Sequence, residues 1–328
     1  MMLNTENRTI GGEQELAKDG LFYGVTNSGR SSLRWAVRSM SLQGKKVLVP
    51  DFVCQIVVDV LLEFDIEVLF YAVQDNFEFE FSDDYQDISA VYLVKYFGHE
   101  STSFRNLIEH SQVPFIIDDV FGVEPPKVLA DVQWCYFNSL RKITAIADFS
   151  QLISNVPLER LNKLCLSEFS EIKYQAKSIK AEFLSNSIGN ESDYLSSFSY
   201  AENLLDSGVG IYEPEDKSMV LACQFYSDKH VELKIRKENL TTAKELLRSD
   251  QYIDINVNFP SFLPLLLANR DKVRKGLMEH SIFLAVHWPE VEQVSNQLSG
   301  NVLSLPLDSR YTQEDISRIC NLIKKLDK

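Results

Sequence analysis

Three short segments of this chain carry residue types that together could handle a phosphorylated, electron-accepting ligand. Cys135-Tyr136-Phe137-Asn138-Ser139-Leu140-Arg141-Lys142 runs from a β-rich stretch through a polar step to a lysine with apolar neighbours. A lysine removed from water loses its proton near neutral pH, and the free amine can then bond covalently to a carbonyl carbon. Pro114-Phe115-Ile116-Ile117-Asp118-Asp119 is an apolar run that ends in two carboxylates. Ligands of open α/β sheets gather at strand carboxyl ends, and a carboxylate placed there can keep a ring nitrogen protonated so that the ring accepts electrons. Asp119 is the member assigned that role. Ser28-Gly29-Arg30-Ser31-Ser32 stands before a helical pattern. Gly29 permits a close turn, and the free amides, hydroxyls and dipole of a helix amino terminus attract phosphate. Taken singly, each segment also has an ordinary reading: a solvated lysine, a carboxylate pair capping a turn, a helix cap. Their order along the chain joins them.

The elements around them follow from periodicity. Between residues 47 and 154, short β-rich runs alternate with amphipathic stretches, the pattern of a mostly parallel sheet flanked by helices. The expected strands cover 47–49, 67–73, 90–94, 114–117, 133–137 and 151–154, and a helix covers 31–39. From 158 to 206, dense charge with apolar residues three and four apart predicts long linking helices. Gly208, Gly210 and Pro214 mark a boundary. The chain therefore divides into a large α/β domain at 1–205 and a small α+β domain at 206–328, the latter with strands at 229–236, 283–286 and 302–305 and helices at 241–248, 270–279 and 313–326.

At 328 residues, with 45% hydrophobic and 11% aromatic content, the composition is that of a folded globular protein. A net charge of −14 with no basic patch argues against nucleic acid as a partner. Five scattered cysteines, without a Cys-x-x-Cys pair, read as reduced thiols. The amino-terminal residues 1–7 lack a basic, apolar leader pattern, and no stretch approaches a membrane span; a cytoplasmic location and no membrane association are expected. The chain lacks a phosphate-binding P-loop, a dinucleotide glycine fingerprint, a serine elbow and a zinc-protease helix motif. His99, His110, His230, His280 and His287 are isolated from one another, so no metal site is expected.

The ordered set of a phosphate-binding Ser-Gly turn, a strand-terminal Asp and a Ser-x-x-Lys resembles the fold-type-I pyridoxal 5'-phosphate (PLP) enzymes, and in wording the sugar aminotransferases of the DegT/StrS type. The resemblance includes Ile10-Gly11-Gly12-Glu13, Val49-Pro50-Asp51-Phe52-Val53-Cys54, Tyr96-Phe97-Gly98, His287-Trp288-Pro289 and Leu305-Pro306-Leu307-Asp308-Ser309-Arg310-Tyr311. It implies that Lys142 is the catalytic, cofactor-bearing lysine and that Asp119 pairs with the pyridine nitrogen. It further implies that Ser28, Gly29, Arg30, Ser31 and Ser139 contact the phosphate, with Phe52 and Cys54 beside the ring. His287, Trp288 and Arg310 would meet substrate. The implied reaction passes an amino group from an amino-acid donor to a keto sugar, nucleotide-linked, in surface polysaccharide or amino-sugar synthesis, within a homodimer. Three positions depart from the family: Cys54 where an aromatic stacks on the ring, Gly122 where Gln or His is usual, and Phe149-Ser150 where a Gly-Gly pair is common. These departures motivate the alternatives of a binding or regulatory homologue without turnover, or a different PLP reaction.

Overall fold

The computed structural model describes residues 12–13, 16, 18–81, 87–186 and 188–327. Ile10 and Gly11 of the amino-terminal motif, and the leader reading of residues 1–7, lie outside the described residues.

A seven-stranded sheet forms the larger layer, in the order β1 (Phe22–Thr26), β7 (Ser150–Ser154), β6 (Trp134–Asn138), β5 (Phe115–Asp119), β4 (Ala90–Val94), β2 (Lys46–Pro50), β3 (Glu67–Tyr71). Strands β2, β3, β4, β5 and β6 run parallel. Every residue of β4, β5 and β6 is buried, which is why these strands read as continuous apolar runs: helices cover both faces of a parallel sheet. β7 and β1 complete the edge in antiparallel pairing. β1 was not foreseen; it is short and contains Gly24, where the Trp35 indole packs so closely that any side chain would collide.

α1 (Gly29–Ser39) starts where Ser28 Oγ accepts from Ser31 N, and it lies against the β1–β7–β6 end of the sheet. α2 (Gln55–Leu62) and α3 (Thr102–His110) follow β2 and β4. α4 (Ser167–Asn186) and α5 (Glu191–Asp206) pair as a hairpin closed by Phe169, Ala201 and Leu205.

α6 (Asp216–Leu246) is one 31-residue helix. It absorbs both the strand expected at 229–236 and the helix expected at 241–248. The alternation of charged and apolar residues there mimics a strand, but the buried positions Ser218, Ala222, Arg236, Asn239 and Ala243 recur at helical spacing. β8 (Phe262–Leu266) and β9 (Val302–Pro306) form a second, antiparallel sheet, with α7 (Arg270–Met278), α8 (Gln297–Asn301) and α9 (Gln313–Leu326) around it. β8 was missed because Pro264 interrupts its pattern. The strand expected at 283–286 makes only the isolated bridge Ala285 to Ser304. Leu263, Leu265, Leu303, Leu305, Ile316 and Ile323 belong to a core separate from that of the large sheet.

Candidate active site

β6 hands the chain to Ser139 and then to a single 3-10 turn, Leu140–Lys142. Leu140 is fully buried, and its amide bonds to the Phe149 carbonyl at 3.0 Å, so the turn is pinned while Lys142 faces outward. Behind it, fully buried Arg236 of α6 donates from Nη2 to the Ile143 carbonyl at 2.9 Å. Lys142 has open surface, and its amine still feels the charges of Arg141, Glu202 and Arg30 around it. Its pKa falls from 10.5 to about 8, first because the Arg141 guanidinium is adjacent and second because of desolvation; Glu202 and Cys54 act in the opposite direction.

The segment after the lysine is built for anchoring. Asp148 is buried and accepts from Glu215 N at 3.0 Å and from Ser218 Oγ, tying the loop to the start of α6. Ser150 Oγ donates to the Asn138 carbonyl and lies 2.7 Å from Ser32 Oγ, joining β7, β6 and α1. Phe149 is core. The residues standing in place of a Gly-Gly pair thus hold the lysine turn to its neighbours.

The two carboxylates of β5 point to opposite faces, because side chains alternate along a strand. Asp118 is in register with Val94 and Phe137, and the Phe137 ring lies against Gly29, where an added Cβ would be 3.3 Å from it. Asp118 therefore shares the α1 face. It accepts from Tyr92 OH at 2.6 Å and Val120 N at 3.2 Å. Burial pushes its pKa up to about 7, against which the charge of Lys142 acts. Asp119 is in register with Asn138, whose amide donates to Tyr226 of α6 at 3.0 Å. On this α6 face Asp119 Oδ2 lies 3.4 Å from Lys95 Nζ and accepts from Tyr136 OH at 3.3 Å; Lys95 also pairs with Glu100 at 2.9 Å. The structure thus puts Asp118, and not the Asp119 chosen from the sequence, on the side of α1 and Lys142. Gly122 is explained as well: any side chain there would strike the Asp119 carboxylate.

At the amino end of α1 the hydroxyls hold one another. Ser28 and Ser31 both donate to Asn27 Oδ1, at 2.8 and 2.9 Å, and Ser31 accepts from Tyr212 N at 3.2 Å. The Ser28 and Ser31 hydroxyls, expected at the phosphate, thus bond within the turn. Other donors are left over. Six buried side-chain polar atoms lack a hydrogen bond among the described residues, and four of them, Asn27 Nδ2, Arg30 Nη1, Ser139 Oγ and Arg141 Nε, are donor-capable atoms in α1's approach and the lysine turn. Arg30 Nη1 is ion-paired with Asp206, which leaves Asn27 Nδ2, Ser139 Oγ and Arg141 Nε as the donors without an acceptor. Buried donors without acceptors fit an anionic group, and so fit the phosphate of PLP.

The remaining expected contacts fare unevenly. Cys54 caps α2 and is part-exposed, within the field of Lys142. Phe52 is core, with its ring centroid 5.2 Å from Tyr96 and 5.4 Å from Trp288. Trp288, only 5% exposed, also packs on Phe97 and Phe121, so it offers no open face to a sugar. His287 Nδ1 lies 2.7 Å from Ser304 Oγ; burial, with the charge of Lys142 second, lowers its pKa to about 3, leaving it neutral. Arg310 spends its fork on Asp308, at 2.5 and 2.9 Å. Sequence reasoning assigned no role to Asn27, Arg141, Lys173 and Glu202; of these, Asn27 adjoins a recognised segment and Arg141 lies inside one.

No family model matches the chain, and no curated protein matches it. Solved structures do. DesV of S. venezuelae, captured with a ketimine intermediate, superimposes with a TM-score of 0.65 at 12% identity, covering 93% of this chain and 85% of that one. Helicobacter pylori PseC, an aminotransferase of pseudoaminic acid biosynthesis, gives 0.64 at 13% identity over 93% and 86%. The Streptococcus pneumoniae protein Spr1654, a putative sugar aminotransferase in its PMP form, gives 0.62 at 13% over 93% and 87%. Across nearly its whole length, this chain has the fold-type-I architecture of the PLP-dependent aminotransferases.

Proposed function

We propose that this protein is a PLP-dependent aminotransferase that moves an amino group from an amino-acid donor to a keto sugar, nucleotide-linked, as a cytoplasmic homodimer in surface polysaccharide or amino-sugar synthesis. The observation that carries the reading is the grouping of an accessible lysine of lowered pKa with Asp118 and the donor-rich end of α1 on one face of the sheet. PLP, when bound, supplies an electron sink that makes the donor's α-proton removable. Lys142 Nζ would hold the cofactor and, once the incoming donor amine has displaced it and left it a free amine, would take up the donor's α-proton and return it. Asp118 would keep the ring nitrogen protonated, and the amides of α1 with Asn27 and Ser139 would hold the phosphate.

The test is the absorbance spectrum of the purified protein with added PLP, followed by borohydride reduction and peptide mass analysis. A reduced adduct on Lys142, absent in Lys142→Ala, is the expected result. No adduct on Lys142 would sink the proposal. A second reading, a homologue that binds without turnover, draws on Cys54 in the ring-stacking place and on the closed packing of Phe52 and Trp288. It predicts an adduct whose spectrum stays fixed with every amino donor, whereas an aminotransferase shifts to the pyridoxamine band.

A further inference from the structure

Three cations from three elements converge on α5. Arg141 Nη1 lies 2.9 Å and Lys173 Nζ 2.5 Å from Glu202 Oε1, and Arg30 Nη2 is 4.0 Å from Glu202 Oε2. Arg30 Nη1 pairs with Asp206, four residues on and so on the same face of α5. With Lys142, four cations face two carboxylates, in a chain whose net charge is −14. Such crowding carries a cost: Arg141 disfavours the charge of Arg30, and both disfavour those of Lys142 and Lys173. The two sides also differ in fixity. The side chains of Arg30, Arg141 and Lys173 are 14, 9 and 10% exposed, whereas Glu202 and Asp206 are 35 and 51% exposed. The carboxylates can turn into water; the cations cannot. Arg141 Nε remains buried without a hydrogen bond even with both carboxylates present, so the acidic pair does not complete the cluster.

We propose that Arg30, Arg141 and Lys173 form an anion site, occupied in this structure by the protein's own Glu202 and Asp206, which a phosphoryl-bearing ligand enters by displacing them. Guanidinium forks match phosphoryl oxygens, and the spare Arg141 Nε–H gives such a ligand a bond that the carboxylates leave unmade. An internal occupant protects the cations from being buried unpaired and reduces apparent affinity by the fraction of time the site is free. The phosphoryl group can belong to the cofactor or to the diphosphate of a second ligand, which are one chemistry from two sources. The existence of the site rests on the charge cluster alone and its test requires no turnover; only the assignment of the phosphoryl group to cofactor or second ligand rests on the aminotransferase reading.

Inorganic pyrophosphate titrated calorimetrically into the full-length protein, with and without PLP, provides the test. Glu202→Gln is expected to bind it about tenfold more tightly than wild type, as for a site freed from about 90% internal occupancy. Arg141→Met is expected to bind at least about tenfold more weakly, and Arg141→Lys, which keeps the charge but loses the fork, to fall between. In either case the site exists: loss of pyrophosphate binding on PLP saturation identifies it with the cofactor's phosphate, and retention identifies a second ligand's diphosphate. Equal affinity in wild type and a folded Glu202→Gln, or no binding by either, overturns the proposal. Should Arg141→Met fail to fold, the Glu202→Gln comparison decides alone.

Discussion

Replacing Arg141 by Met should make Lys142 an ordinary lysine again by degrees. At pH 7 an amine of pKa about 8 is roughly 9% unprotonated, whereas one at 10.5 is roughly 0.03% unprotonated, so the lowered value supplies about 300-fold more reactive amine. The Arg141 charge is the largest cause of that lowering. If it accounts for about half, its removal raises the pKa by about one pH unit and cuts the free amine about tenfold at pH 7. The rate of Lys142 modification by trinitrobenzenesulfonate, followed by peptide mass against pH, reads this directly because only the neutral amine reacts. The rate rises with pH to a plateau, with a midpoint near 8 in wild type, near 9 in Arg141→Met and again near 8 in Arg141→Lys. A wild-type midpoint at the ordinary lysine value, or no movement in a folded Arg141→Met, would refute the reasoning.

Asp118→Asn should still attach PLP at Lys142 yet lose at least about 100-fold in the donor half-reaction, as expected for removal of the ring-nitrogen partner; Asp119→Asn, on the other face, should lose far less. Without PLP, Asp118→Asn should be the more stable protein at pH 8. Burial raises the folded pKa of Asp118 to about 7, above the unfolded value of 3.8, so its favourable contribution is complete below pH 4 and is lost as pH rises through 7. The gain is up to about 4 kcal/mol at pH 8 and vanishes at pH 4, and urea melts at the two pH values check it. Gly122→Ala should destabilise by about 2 kcal/mol, because a Cβ there meets the buried Asp119 carboxylate; an unchanged melting curve would show that the carboxylate moves aside at no cost.

Much of the sheet was legible because strands buried on both faces must be apolar throughout: β2, β4, β5 and β6 announce themselves in that way. α6 was not, since a long helix with a narrow buried strip of Ser218, Ala222, Arg236 and Asn239 carries little hydrophobic signal. Lys142 was singled out through the order of three segments. The choice between Asp118 and Asp119 needs strand register, because a strand ending in two carboxylates offers one to each face. Glu202 and Lys173 lie on elements distant in sequence, and only folding brings them to Arg141.

The length of α6 gives the lysine turn a mechanical connection. The helix touches the large sheet at Tyr226, grips the carbonyl beside Lys142 through Arg236, and ends in the small core at Ala243. From Tyr226 to Ala243 it spans about 25 Å at 1.5 Å per residue. A rod of that length is a lever: a tilt of about 5° displaces one end by about 2 Å relative to the other. Through Arg236, which bonds both the Ile143 and the Ser261 carbonyls, the lysine's backbone has its foothold on both halves of the molecule.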